Sequence, residues 1–285
     1  MPTEIENIVF SRFVSQPIPF EIITIPELYK RCKKSAYDLS ITHRIEFHAL
    51  LIITEGSSKH SIDFKEFPLV PGMILPLTKG QVHSFAKECS IDGYVISFEE
   101  RFITQHISEK NLFHFLHLYN EPSILLEPQK LTLLSPYIEI LSTQLNDENQ
   151  NLKSDFIHAA FITLLLHIKR LSFDGNKVYE SKRFQDFLRF KQLLTEYYKE
   201  SHNAKEYAQR MGISYKYLND ICKEISNKTA KAFIDSWLLL EIKRNISDGI
   251  YTSQEIAYHL GFNEHSNFIR FFKKFTGTTP TKYQQ

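Results

Sequence analysis

The chain repeats itself: Glu206-Tyr-Ala208-Gln-Arg-Met211-Gly212-Ile213 returns 49 residues later as Glu255-Ile-Ala257-Tyr-His-Leu260-Gly261-Phe262. A copied segment of this kind restricts the C-terminal part of the chain to two related supersecondary units. In each copy a polar residue, Asn203 or Thr252, stands three positions before the glutamate. At that spacing the cap oxygen and the glutamate satisfy orphan backbone donors reciprocally, which predicts a helix start. Ala208 or Ala257 leaves room for a second helix to cross closely, and Gly212 or Gly261 ends the helix where the backbone must turn with positive φ. Ser214 and Asn263 then stand ready to cap a further helix. Two helix-turn-helix units in one chain predict a protein that reads two successive stretches of DNA major groove.

At 285 residues and 42% hydrophobic content, the chain has material for two domains with real cores. Its net charge of +1 conceals an asymmetry: from Arg183 onward 16 basic residues stand against 11 acidic ones, and the rest of the chain is acidic. The half that carries the repeat is the half suited to phosphates. Cys32, Cys89 and Cys222 have neither paired nor zinc-type spacing, so a reducing cytoplasm is expected and a disulfide framework is not. Met1–Glu6 has neither a basic n-region nor an apolar h-region, and no stretch approaches the roughly 18 apolar residues of a membrane span, so neither export nor membrane insertion is expected.

Residues from about 20 to 100 read as short strands, Ile45–Ile53, Lys59–Phe64, Gly72–Leu75 and Gly93–Phe98, with turns at Glu55-Gly56-Ser-Ser and Pro68–Gly72. Regular short strands predict a sandwich or small barrel. From Pro128 the pattern becomes helical, with Leu131, Leu134, Ile138 and Leu141 at three- to four-residue spacing. Phe156–Ile168 is more apolar than one buried stripe requires, which fits a core helix, a dimer interface or both. Ser172–Lys177 is a polar, turn-rich break. The predicted organisation is an effector-binding barrel over 1–127, a helical dimerisation segment over 128–172, a linker over 173–182 and a DNA-binding domain over 183–285.

In the first unit, Leu218, Ile221 and Cys222 form the inward face of the predicted recognition helix, leaving Tyr215, Lys216, Asn219, Asp220 and Lys223 outward. Lysine and asparagine read guanine and adenine edges, and tyrosine and lysine hold phosphates. Asp220 fits that face if it accepts from cytosine or pairs with a neighbouring lysine. In the second unit Phe268, Phe271, Phe272 and Phe275 form the predicted core stripe, and His265, Ser266, Asn267, Arg270, Lys273 and Lys274 face outward. The first three lie at the helix N-terminus, where base edges are read, and the basic ones lie further on, where phosphates are held. Between the units, Thr229–Ile246 reads as one helix, a spacer of about 27 Å.

The C-terminal 100 residues resemble the DNA-binding domain of the AraC/XylS family of bacterial transcription regulators. The resemblance rests on Glu255–Phe262, Ser266–Lys274 and Thr276-Gly277-Thr-Thr-Pro280-Thr-Lys-Tyr283. The first unit matches more loosely: Cys222 stands where phenylalanine is usual, Asn227 where glycine is usual, and Trp237 where many members carry arginine. The resemblance implies promoter DNA and RNA polymerase as partners, activation as the mode, a homodimer, and a small-molecule effector held in a cupin-like, jelly-roll type barrel.

Metal-binding cupins show His-x-His, Glu, Gly and a later His; the matching positions here hold His43, Ile45, Ala49, Gly56 and His83. Two ligand positions are apolar, so no metal or other cofactor is expected. His48 lies on the opposite strand face from His43 and does not replace them. A pocket lined by His43, Phe47, His83, Phe85 and Tyr94 is expected to take an aromatic compound, a carboxylate or a sugar. The competing reading is an enzyme, a cupin catalyst or a DNA-repair protein; the first lacks its metal ligands and the second lacks a motif around any cysteine.

Overall fold

The computed structural model describes residues 5–12, 18–35, 37–87, 90–104, 123–172 and 181–283. The chain divides into two compact units, Glu6–Asp174 and Gly175–Gln285. Most of the stretch read as a linker, 173–180, lies outside the described residues, as does Cys89. Among the described residues no helix is long and apolar enough to cross a membrane.

The first unit is a curled sheet, a half-barrel, backed by helices. Its strands and first helix are β1 (Glu6–Ile8), β2 (Phe20–Thr24), α1 (Ile25–Lys34), β3 (His43–Ile45), β4 (His48–Ile62), β5 (Lys65–Leu69), β6 (Met73–Leu77), β7 (Val82–Phe85) and β8 (Ser90–Phe98). Strand β4 makes the curl. Its first part pairs antiparallel with β6 and β8 and its last part with β5 and β7, so one strand belongs to both walls. The register slips between Ile53 and Glu55, and Gly56, at φ +78, lies so close to β8 that a Cβ would overlap the Ser90 carbonyl oxygen. A bulge of this kind exchanges the two faces of a strand. Ala49, Leu51 and Ile53 therefore face one core before it, and Ile62 joins the same core after it.

The turn expected at Glu55-Gly56-Ser-Ser is this bulge, and the two strands expected on either side are one, because pairing with β8 continues through it. The true turn is Asp63–Phe64, both at positive φ (48° and 66°), the backbone that two-residue hairpins require. Helix α1 falls where only strands were expected. It is nucleated locally: the Thr24 hydroxyl accepts from the Glu27 N–H, and Pro26 sits in the first turn.

After α2 (Glu100–Thr104), β9 (Ile124–Leu125) and α3 (Pro128–Leu131), two longer helices follow, α4 (Ser135–Asn146) and α5 (Lys153–Ser172). Ile138 and Leu141 of α4 and Ile157, Phe161 and Leu165 of α5 share one core with Phe20, Leu50, Ile52, Ile96 and Phe98 of the sheet. The Phe161 ring lies 4.9 Å from Phe20 and 5.0 Å from Phe98. Packing on the sheet thus uses most of the apolar excess of α5, while Ile140 and Phe156 remain exposed.

The second unit is helical: α6 (Lys182–Tyr197), α7 (Ala204–Arg210), α8 (Tyr215–Ser226), α9 (Ala230–Asp248), α10 (Ser253–His259), α11 (His265–Thr276) and α12 (Pro280–Tyr283). The 19 residues of α9 make a rod of about 28 Å. It packs on α7 and α8 and also on α10 and α11, so it is a shared spine and its hydrophobic positions are not confined to one stripe. Leu238, Ile242 and Ile246 of α9 share a core with Ile256, Leu260, Phe268 and Phe272. On the other side the rings of Phe187 and Phe190 pack against Phe233 at 5.2 and 5.7 Å. The Trp237 indole nitrogen is buried with no acceptor among the described residues.

Candidate nucleic-acid interface and barrel cavity

The two repeats build the same turn by unequal means. In the second, the Thr252 hydroxyl accepts from the Glu255 N–H (3.3 Å) while the Glu255 carboxylate accepts from the Thr252 N–H (2.8 Å). These bonds hold the Glu255 carboxyl below its ordinary range. In the first, Asn203 Oδ1 accepts from the Lys205 N–H, and the Asn203 N–H is taken by the Ser201 hydroxyl, each at 3.1 Å. The reciprocal box expected there is not formed, since Ser201 reaches the donor first and Glu206 bonds only the Asn203 side chain, at 3.4 Å. Gly212 and Gly261 both have the positive φ expected, +68° and +80°.

Ser214 caps α8 as expected, accepting from the Tyr217 N–H. Asn263 does not cap α11; Glu264 holds that position without a side-chain cap bond, and its carboxylate accepts from the Ser266 hydroxyl instead (3.1 Å). Asn227 ends α8 in the left-handed region at φ 54, filling the place of the usual glycine.

On α8, Leu218, Ile221 and Cys222 are buried, and Tyr215, Lys216 and Lys223 are exposed, as the periodicity requires. Asn219 is half-buried, and its Oδ1 accepts from the Ala230 N–H at the start of α9 (3.1 Å). With that oxygen committed, Asn219 lacks the acceptor needed for a two-bond contact with adenine. Asp220 is half-buried, and among the described residues it forms no ion pair with Lys216 or Lys223. On α11, Phe268 and Phe272 are fully buried, but Phe275 is 41% exposed, one helical turn too far along to reach the core. Ser266, Asn267, Arg270, Lys273 and Lys274 are exposed and His265 is half-buried. His265 Nε2 lies 2.9 Å from the Ser253 hydroxyl, and Arg270 donates to Asn267 Oδ1 at 2.6 Å. Two polar faces of about one recognition helix each are thus presented over buried apolar ones, with the second carrying more positive charge.

Burial pushes the Cys222 thiol up to about 12, which disfavours the reactive thiolate.

In the first unit, a cavity is lined by His43, Phe47, His83 and Phe85, together with Ile45, Ala49, Leu51, Val95 and other largely apolar neighbours. Four of the five residues expected there are brought together. Tyr94 is not: strand alternation on β8 turns Val95 and Ser97 toward the cavity and packs Tyr94 with the core beneath α4 and α5. Ile45 and Ala49 face the cavity beside the two histidines, so the positions that would complete a metal site present hydrocarbon. Among the described residues no three His, Cys, Asp or Glu side chains are grouped to hold a metal ion.

Behind the cavity wall lies a residue the strand pattern did not select. His60 is fully buried, with its Nε2 3.0 Å from His83 Nδ1, while the His43 ring stands 4.3 Å from His83. Burial, reinforced by His43, pushes His60 down to about 3, and burial with both neighbouring histidines pushes His83 well down. Both are neutral imidazoles. Their outer nitrogens, His60 Nδ1 and His83 Nε2, are buried and without a hydrogen-bond partner among the described residues. His60 is hidden from simple alternation because the β4 bulge changes the phase between Ala49 and Ile62.

Family comparisons divide the chain the same way. Residues 35–160 match the family described as AraC-like ligand binding domain, and residues 207–285 match a helix-turn-helix domain family. The HTH-type transcriptional activator RhaR of Mannheimia succiniciproducens is 23% identical over 254 residues, covering 85% of this chain and 86% of that protein. The probable transcription factor PqrA of Proteus vulgaris is 30% identical over 78 residues, 27% of this chain and 64% of that protein. Among solved structures, ToxT from Vibrio cholerae O395 covers 93% of this chain and 97% of its own, at 14% identity and a TM-score of 0.45. With a ligand-binding domain of AraC type followed by its helix-turn-helix domain, this chain belongs to the AraC family of DNA-binding transcription regulators.

Proposed function

We propose that this chain is a transcription activator that reads two successive major-groove segments with α8 and α11 and is controlled by a small molecule in the half-barrel cavity. The observation that carries the reading is the pairing of two capped helix-turn-helix units on one spine, α9, whose length of about 28 Å is close to one turn of DNA, roughly 34 Å. In this reading His265, Ser266 and Asn267 reach base edges, while Arg270, Lys273 and Lys274 hold phosphates. Tyr215, Lys216 and Lys223 hold phosphates or guanine from the first unit, Asp220 accepts from cytosine, and Asn219 supports α9 from within the interface. His43, Phe47, His83 and Phe85 contact the effector.

Activation through RNA polymerase is supported by the relative named as a transcriptional activator. A homodimer is supported by the apolar surface that Ile140 and Phe156 leave exposed on α4 and α5. The protein acts in the cytoplasm, beside its DNA, and catalyses no reaction. For the effector to switch it, the cavity must bind the molecule with different affinity in the two functional states. Genome-wide mapping of DNA occupancy, with and without His265→Ala/Asn267→Ala, tests the proposal. Discrete sites lost in the variant support it, and occupancy without sequence preference in the parent chain rejects it.

A further inference from the structure

The cavity of the half-barrel, read above as the effector site, also limits the chemistry of what it can hold. Its polar lining residues are few, His43, His83, Tyr37, Ser97 and Cys32, and among the described residues no Lys, Arg, Asp or Glu lines it. A cation, Arg31, lines an adjoining cavity that shares Leu28, Phe47, Val95 and Ser97 with the first. Arg31 is already bonded to Glu21 (2.6 Å) and Glu27 (2.7 Å).

His83 supplies the polar anchor. Its Nδ1 faces His60, which does not line the cavity, and its Nε2 is buried with no protein partner among the described residues. A neutral imidazole carries one N–H and one bare nitrogen. If His83 donates to His60, Nε2 is an acceptor; if His60 donates to His83, Nε2 carries the hydrogen. Exchange of the shared hydrogen bond therefore lets Nε2 serve either role, but it supplies one bond.

We propose that the cavity takes an uncharged, predominantly apolar molecule with a single hydroxyl, such as a substituted phenol or a medium-chain alcohol, its hydroxyl bonded to His83 Nε2. A hydroxyl both donates and accepts, so it matches either tautomer of the His83–His60 pair. A carboxylate would enter a site whose described lining holds no cation, and must displace Glu21 or Glu27 to reach Arg31. A sugar brings several hydroxyls to a wall that can bond only a few, and each one left over loses its water without replacement.

This inference rests on the effector reading, and calorimetric titration of the full chain separates the two. The probes are 4-ethylphenol, ethylbenzene, 4-ethylbenzoate and D-glucose. The expected result is 4-ethylphenol binding at least tenfold more tightly than each of the others. His83→Phe should remove that advantage, and an unchanged circular dichroism spectrum shows that the variant folds. With 15N-labelled histidine, 4-ethylphenol should move the His83 Nε2 resonance in the parent chain. Tighter binding of the benzoate or of glucose overturns the ligand class and leaves the effector reading standing. Failure of all four to bind overturns both.

Discussion

Gly212 and Gly261 hold the same place in the two repeats with nearly the same backbone, φ +68° and +80°, yet their surroundings differ. A Cβ at Gly212 meets nothing within 4 Å, whereas one at Gly261 runs into the Lys199 carbonyl oxygen. Gly212→Ala should therefore lose only the conformational preference of an L-residue for the right-handed region, about 1 kcal/mol. Gly261→Ala carries that cost and must also push aside the Lys199 backbone, an overpacking penalty of about 1–3 kcal/mol, for a total near ~3 kcal/mol. The segment does not yield easily, being tied to the second repeat by Lys199 Nζ to His259 Nε2 (2.9 Å) and His202 Nε2 to the Leu260 carbonyl (2.8 Å). Urea unfolding followed by fluorescence is the direct assay, because the chain has one tryptophan, Trp237, and it lies on α9 within the DNA-binding unit. With m of about 2 kcal/mol per M, the midpoint should fall about 0.5 M for Gly212→Ala and about 1.5 M for Gly261→Ala. Equal shifts for the two variants would refute the claim that close backbone approach distinguishes the repeats.

Three further outcomes follow from the same geometry. His265→Ala/Asn267→Ala should weaken binding to a specific site by tenfold or more with little change on random DNA, whereas Arg270→Ala or Lys273→Ala should weaken both and reduce the salt slope by about one unit each; anisotropy titrations at several salt concentrations separate the two patterns. Cys222, pushed up to about 12 by burial, should resist iodoacetamide at pH 8 in the folded chain and react once urea unfolds it, as read by mass spectrometry; rapid labelling of the folded chain would contradict its burial. His48 and His60 are pushed down by burial to about 4 and about 3, so the unfolded chain takes up protons below about pH 6.5 that the folded unit refuses. Their contribution is complete above that pH and is lost as pH falls from about 6.5 toward 4 and 3, at about 1.4 kcal/mol per pH unit for each histidine. Melting of the first unit followed by circular dichroism should shift downward between pH 7 and pH 5, and His60→Asn should flatten the trend; an unchanged midpoint would show that these rings are protonated in the fold.

The helical half is legible in the sequence where the determining forces are local. Thr252 with Glu255, Ser214 before α8, and the glycines after each first helix act through hydrogen bonds and backbone sterics within a few residues, so their spacing is sufficient to read them. The buried faces of α8 and α11 follow from helical period alone, up to Phe275, where the core ends and the period does not.

In the half-barrel the decisive contacts are distant in sequence. Alternation puts His43, His83 and Phe85 on the cavity wall, but a single bulge at Ile53/Glu55 changes which face of β4 is inside and brings His60 against His83. Tyr94 misses the cavity because its neighbours, Val95 and Ser97, are the residues that β8 turns inward. In the second unit the same limit appears in finer detail: Asn219 has the right spacing for a base contact, yet its oxygen is spent on the Ala230 N–H. What residue types and spacing determined is the pair of helix-turn-helix units and the apolar replacement of the metal ligands. Which histidine stands against His83 and which polar side chain is already engaged was decided only in the tertiary structure, because hydrogen bonds between elements depend on packing that no local period encodes.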